Sequence, residues 1–346
     1  MINKKKNILV LGGSGFIGSN FVRCNVINKK NNVLNIDKLT YAANNDSLLS
    51  ISSNSNYKFL KGDICDADFI KNNISCFKPD QIVNFAAESH VDKSISNHSE
   101  FINSNIIGVY RLLEASIDYY KNLDEQKKIN FRFLHVSTDE VYGSLKLKDK
   151  RFTESTKYDP SSPYSASKAA SDHLVMAWYK TYNLPVLITN CSNNYGPYQF
   201  PEKLIPLIII NCLMETDLPV YGTGKNIRDW IHVLDHCKAI MKILEKGNIG
   251  HSYNIGSEHE LTNLDIINKV CQIMDSKIPR KHNLLYNQLI TFVKDRAGHD
   301  FRYAINNSKV KEHTGWLPSI SFDRGIEDTI NWYIENKNWW INKVGK

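Results

Sequence analysis

The chain opens on a short, unbroken apolar run at residues 7–11 that stops at a cluster of glycines. Runs of four to eight apolar residues between turn signals are what strands covered on both faces look like. The pattern returns at 32–36, 56–60, 80–85, 131–136 and 184–188. Between these runs the apolar residues take helical spacing. The predicted helices begin at Phe16 and near Ala67, span 101–119 with Phe101, Asn105, Leu112 and Ala115 on one side, and span 164–182 behind Ser161-Ser162-Pro163. Alternating strands and helices predict an α/β fold with a parallel sheet wound on both faces. After Phe200 the alternation loosens. Helical runs at 204–214, 236–245 and 264–274 mix with short strands around Val220 and at 252–255, and an amphipathic helix over 322–333 closes the chain. We expect a Rossmann-type unit over residues 1–195 and a smaller lobe over 196–346, with some interleaving of elements.

In an open parallel sheet, ligands bind outside the carboxyl ends of the strands. Four groups of residues fall there. Gly12, Gly15 and Gly18 follow the first strand and open the first helix, which carries Phe16 and Ile17. Gly12 allows the turn, Gly15 lets the backbone approach a pyrophosphate, and Gly18 permits close helix–strand packing. The phosphates would lie on the N–H groups of the helix start. Asp37 ends the second strand, nineteen residues after Gly18. A carboxylate there accepts hydrogen bonds from ribose hydroxyls and repels a 2′-phosphate, so NAD is favoured over NADP. The blander reading is a loop acid. Asp63 stands where a loop acid meets the adenine, or caps the helix near Ala67. Ala86 and Ala87 let the chain pass close to the cofactor.

The fourth group is the richest. The fifth strand leads into Thr138-Asp139-Glu140, and the helix that follows bears Tyr164 and Lys168. Residues four apart share a helix face. A neighbouring ammonium favours phenolate, so Lys168 is expected to lower the pKa of Tyr164 and make it a base for an alcohol proton. Alone, a Tyr and a Lys at this spacing are a common surface accident. Here they follow a buried strand into a cofactor pocket.

Composition excludes several other classes. With 346 residues, 42% hydrophobic and 23% charged, the chain reads as a soluble globular protein with a full core. Its net charge of +7 comes from scattered lysines, the densest run being Lys4-Lys5-Lys6. That is no nucleic-acid surface, although it suits an anionic small substrate. Seven dispersed cysteines without a C-x-x-C pair point to neither disulfides nor zinc, and a reducing cytoplasm is expected. No metal site is expected. The N-terminal apolar run is too short for a secretory leader. The longest apolar run, 204–214, is interrupted by Pro206 and Asn211 and cannot span a bilayer.

Taken in order, GGSGFIGSN, NIDKLTYAAN, NFAAESHVDKSI, VSTDEVYG, PYSASKAASD, CSNNYGPYQFPEKLIP, RDWIHVLDH and DRAGHDFRYAI resemble the dTDP-glucose 4,6-dehydratases of the extended short-chain dehydrogenase/reductase family. The resemblance implies a lyase that oxidises the sugar at C4, eliminates water across C5 and C6, and reduces C6. Tyr164 would be the C4 base, with Lys168 beside it and Thr138 on the C4 oxygen. Glu140 would take the C5 proton and Asp139 would protonate the leaving C6 hydroxyl. Lys38, Thr40, Ile64, Ser89 and Asn194 would join the NAD site. The nucleotide sugar would meet Ser89, His90, Asn193, Lys203, Leu204, Pro219, Tyr221, Arg228, Asn263, Arg296 and His299, several of them on loops of the second lobe. The resemblance also implies a homodimer in which helices 101–119 and 164–182 pair as a four-helix bundle. UDP-glucose is the alternative substrate. A 4-epimerase or a non-catalytic NAD-binding regulator is a more distant alternative.

Overall fold

In the computed structural model, residues 5–295 and 299–344 are described. The first half contributes β1 (Asn7–Leu11), β2 (Asn32–Asp37), β3 (Tyr57–Lys61), β4 (Gln81–Asn84), β5 (Arg132–Thr138) and β6 (Val186–Cys191). The second adds β7 (Asn193–Tyr195), β8 (Leu218–Tyr221), β9 (Ile227–His232), β10 (His251–Ile255), β11 (Glu260–Thr262) and β12 (Ile290–Val293). Seven strands form one parallel sheet in the order β10-β6-β5-β4-β1-β2-β3. Strand order reverses between β1 and β4, and a crevice opens at that switch point.

Both faces of the sheet are covered, which is why its strands read as apolar runs. Along β1, Ile8 and Val10 pack with Phe21, Leu134, Leu187 and Ile240 on one face. Leu9 and Leu11 pack with Leu112, Phe133, Val186 and Ile188 on the other. The helices Phe16–Arg23 and Val233–Lys246 cover the first face; Ala67–Phe77, Val109–Lys121 and Pro163–Tyr182 cover the second. A separate core with Ile208, Trp230, Ile267, Ile330 and Trp340 holds the C-terminal lobe, beside a β11-β9-β7 sheet and a β12-β8 pair. No helix among the described residues is long and apolar enough to cross a membrane.

Three expectations need correction. The strand anticipated at 252–255 in the second lobe instead joins the main sheet as β10, pairing Ser252 with Ile188. Its backbone groups complete the edge that β6 would otherwise expose. The helix anticipated over 101–119 belongs to a helical run from His98 to Lys121 with a π-type segment, Ile102–Gly108, inside it. Asp66, not Asp63, caps the Ala67 helix, accepting from Phe69 N at 3.0 Å.

Leu134 stands between Val83 and Leu187 in register and is wholly buried. Leu134→Ala should lower the unfolding free energy by roughly 2–5 kcal/mol, read as a lower urea midpoint.

Candidate active site

The crevice begins at the turn after β1. Gly12 has φ +76°, the left-handed region, and a Cβ there would meet Ala86 N at 2.5 Å. A Cβ on Gly18 would meet the Gly12 carbonyl at 2.3 Å. These two positions exclude any side chain, so the helix start lies directly against the turn. Gly15, its N-cap, offers no side-chain acceptor to the first-turn N–H groups. These are the groups an anion would engage.

Asp37 ends β2 with both oxygens fixed: Oδ2 accepts from Ser14 N at 2.9 Å and Oδ1 from Leu39 N at 2.8 Å. Burial raises its pKa and those two N–H groups work against the rise. Beside it Lys38 and Asp63 form an ion pair at 2.7 Å. The fixed carboxylate and the turn without Cβ atoms fit a dinucleotide: an acceptor for ribose hydroxyls at one point, a close backbone approach for the pyrophosphate at another.

On the other side of the switch point, β5 runs two residues beyond the anticipated Val136 and delivers Thr138 to the rim. Thr138 Oγ1 accepts from Glu140 N at 3.2 Å and so starts the short turn that follows. Asp139 is buried, and its Oδ2 has no hydrogen-bond partner among the described residues. An orphaned carboxyl oxygen in such a place is a group held ready for a ligand or a proton. Burial first, then Glu140 and Asp229, push the Asp139 carboxyl well above the usual range, against the pull of Arg228.

Pro163–Tyr182 begins on a Ser162–Ser165 capping box and sets Tyr164 and Lys168 facing the crevice. The expected effect of Lys168 on the phenol is not the one found. Tyr164 is pushed well up, by burial first and then by Glu140, and the group pulling it down is the Thr138 hydroxyl. The Lys168 ammonium bonds instead to the Val136 carbonyl, at 2.9 Å. Burial holds it below an ordinary lysine and Asp172 opposes that.

The crevice wall brings together Gly12, Gly15, Phe16, Ile17, Gly18, Asp37, Lys38, Thr40, Asp63, Ile64, Ala86, Ala87 and Ser89 with Thr138, Asp139, Glu140, Tyr164, Lys168, Asn193, Asn194 and Lys203. The other anticipated substrate residues that are described do not line it. His90 caps the Val91–Ser96 helix and faces Glu202 at 3.4 Å. Leu204 opens a helix against the second core. Pro219 and Tyr221 belong to β8, and His299 holds Asp295 at 2.7 Å. Arg296 lies outside the described residues. Arg228 and Asn263 were expected on loops. Arg228 is instead in β9, buried, with its guanidinium donating to the Ile227 and Asp300 carbonyls at 2.8 and 2.9 Å and stacked 4.3 Å from the Tyr303 ring. Asn263 is the first residue of the Asn263–Lys277 helix.

Sequence reasoning missed Glu88, Ser104, Ser137, Cys191, Ser192, Gln199 and Phe200, which also line the crevice. Glu88 and Ser192 had a signal, since both follow a strand at the ligand-binding rim. Ser104 had none: it lies in the π-type segment, and only packing brings it there.

A glycine turn and a Tyr/Lys pair facing each other across the switch point of a parallel sheet are the arrangement of the short-chain dehydrogenases/reductases. Within that class, the chain belongs to the GDP-mannose 4,6 dehydratase family, whose model matches residues 9–329. A dTDP-glucose 4,6-dehydratase from Haemophilus influenzae is 52% identical over 334 residues, 96% of this chain and 99% of that protein. The crystal structure of the dTDP-glucose 4,6-dehydratase from Bacillus anthracis in complex with NAD is 43% identical, with a TM-score of 0.86 over 98% of this chain and 99% of that one. The dTDP-glucose 4,6-dehydratase from Streptomyces venezuelae, solved with NAD, is 40% identical, with a TM-score of 0.88 over 97% and 99%.

The raised carboxyl of Asp139 has a stability consequence. A native-state pKa above the unfolded one favours folding only while the proton is held, so stability falls as pH rises past the unfolded value of about 4. Asp139→Asn removes that penalty. Urea unfolding at pH 7 should show the variant more stable than the parent, and the gap should close at pH 4.

Proposed function

We infer that this protein is an NAD-dependent 4,6-dehydratase that converts dTDP-glucose to dTDP-4-keto-6-deoxyglucose and water. The observation that carries the reading is the meeting, in one crevice, of the Tyr164/Lys168 pair with Thr138, Asp139 and Glu140. A simple dehydrogenase has no need of the acid pair, nor has a regulator that only senses NAD.

The C5 hydrogen of glucose is not acidic until C4 is a ketone. NAD, when bound, supplies the reversible hydride chemistry at C4 and C6. The chain does the proton work. Tyr164 takes the C4 hydroxyl proton, and the Thr138 hydroxyl, which lowers the phenol's pKa in the free site, turns its proton to the C4 oxygen once the sugar is bound. Glu140 removes the C5 proton and returns one to C5 as C6 is reduced. Asp139, whose buried carboxyl is pushed well above the usual range, gives a proton to the departing C6 hydroxyl. Two neighbouring acids with different affinities for protons divide an elimination in this way. Lys168 and Asp37 hold the two riboses of the cofactor. Asn193 and Lys203, on the crevice wall, and Arg228, in β9 within electrostatic reach of Asp139, receive the sugar and its diphosphate. Guanidinium and ammonium groups suit phosphate oxygens. We assign the protein to the cytoplasm, where its seven free thiols stay reduced.

The roles separate by isotope and mass. Tyr164→Phe should abolish any NADH signal during turnover. Glu140→Gln should form the 4-ketone without exchanging the C5 hydrogen with solvent, whereas Asp139→Asn should exchange C5 yet release water slowly. Each loss should be about 10²–10⁴-fold. Native-rate C5 exchange in Glu140→Gln would refute the assignment. A product of unchanged mass would mark an epimerase, and a higher kcat/KM for UDP-glucose would move the nucleotide preference.

We propose further that the protein is a homodimer. The Val109–Lys121 and Pro163–Tyr182 helices pack side by side, and Ile102, Ile107 and Tyr182 beside them are exposed apolar side chains. A self-complementary face of this kind suits a two-fold axis. Light scattering at micromolar concentration should give twice the chain mass of 39.7 kDa; a monomer would refute the dimer.

A further inference from the structure

Behind Lys168 lies a buried set of polar groups that the chemistry above leaves unused. Asp172 follows one turn along the same helix and is buried. Its Oδ2 accepts from Ser137 Oγ at 2.8 Å, from the Tyr158 hydroxyl at 2.9 Å and from Asn190 Nδ2 at 3.3 Å. Those donors come from β5, a loop and β6. Converging donors favour the ionised carboxylate. Its Oδ1 has no hydrogen-bond partner among the described residues and lies 3.6 Å from His135 Nε2.

His135 looks like the natural partner of the Lys168 ammonium, with Nε2 at 3.2 Å from Nζ. Its tautomer rules that out. Asn84 Oδ1 accepts from Ala86 N at 3.1 Å, so the amide NH₂ of Asn84 faces His135 Nδ1, also at 3.1 Å. An NH₂ group can only donate, so Nδ1 accepts. Ser171 spends its hydroxyl proton on the Lys168 carbonyl at 2.8 Å and turns lone pairs to His135 Nε2 at 3.2 Å. The ring proton is therefore on Nε2, and that nitrogen cannot accept from the ammonium. The ring is neutral, since burial and Lys168 hold its pKa well below the usual value. Among the described residues the acceptor left to Lys168 is the Val136 carbonyl, and that carbonyl brings no charge.

We propose that Asp172 is a positioning residue: its carboxylate, fixed by Ser137, Tyr158 and Asn190, is the counter-charge that keeps the buried Lys168 a cation in the crevice. The proposal rests on the reading of Lys168 as a cofactor-holding cation. The groups that face this pair are few. His135 in β5, Cys191 in β6 and Asp172 face the ammonium. Lys168, His135, Tyr158 and, from the turn after β5, Tyr142 face the carboxylate. The two partners agree in direction. Asp172 draws Lys168 back up against burial, and Lys168 is the largest influence opposing the burial that raises Asp172 to about 6.

The test measures NAD affinity by calorimetry and kcat, each across pH 6 to 10, on the full chain. A lysine without its counter-charge loses its proton at lower pH. Asp172→Asn should therefore move the alkaline limb of both profiles down by about one to three pH units, leaving the acid limb in place. Asp172→Ser, smaller and equally uncharged, should do the same and serves if the first variant does not fold. The exchange Asp172→Asn with Asn190→Asp returns a carboxylate across the 3.3 Å contact and should move the limb back. A merely structural Asp172 predicts losses by one factor at every pH with the limb unmoved, which overturns the proposal. An unaltered chain that binds no NAD at any pH removes the reading of Lys168, and this inference with it.

Discussion

The arrangement at the centre of this molecule is conditioned by the difficulty of burying charge. A lysine, an aspartate and a tyrosine all have to work in a crevice where water is scarce. Burial alone drives all three toward their neutral forms: Lys168 down, Asp139 and Tyr164 up. For Asp139 that direction is useful, because an acid must hold its proton until the leaving group needs it. For Tyr164 and Lys168 it works against the chemistry, so both have neighbours that oppose it, the Thr138 hydroxyl for one and the Asp172 carboxylate for the other. Burial sets the direction at all three residues, and Arg228, the Thr138 hydroxyl and Asp172 temper it at Asp139, Tyr164 and Lys168 in turn.

The sheet makes this possible. β5 and β6 pair in register from Phe133 with Val186 to Thr138 with Cys191. Thr138 and Cys191 therefore reach the rim together, and the Pro163–Tyr182 helix crosses behind both. With β10 beyond β6, the catalytic strands are interior strands with both edges hydrogen-bonded. A strand held on both sides has little freedom to move its terminal side chains, and positions within a fraction of an ångström are what acid–base chemistry requires. The turn after β1 is defined just as tightly, by backbone packed where no Cβ fits.

The same scaffold serves many reactions, so fold alone does not name one. Specificity here lies in which groups the rim receives. Under the proposed function, the Tyr164/Lys168 pair with the glycine turn supplies the oxidation at C4, and the acid pair after β5 converts that oxidation into an elimination.

Much of this was legible in the amino-acid sequence, for a physical reason. Strands buried on both faces must be largely apolar, so β1, β2, β4, β5 and β6 announced themselves within three residues at either end, and the edge strand β3 within one. Turns without room for a Cβ must be glycine, so Gly12 and Gly18 did as well. Thr138, Asp139, Glu140, Tyr164 and Lys168 could be picked out because each is tied to a strand end or a helix start close by in the chain. The sequence was silent wherever a partner comes from far away. It put the 252–255 strand in the wrong lobe, because a four-residue apolar run does not say which edge it will join. It assigned Lys168 to the phenol, because helical spacing shows that two residues share a face and not which carbonyl an ammonium reaches. It left Arg228 on a loop and Asp172 unremarked. The network of His135, Ser137, Tyr158, Asn190 and Asp172 draws on two strands, a loop and a helix. Local periodicity determines the elements; only their packing decides which buried charges face each other, since that depends on distances between residues remote in the chain.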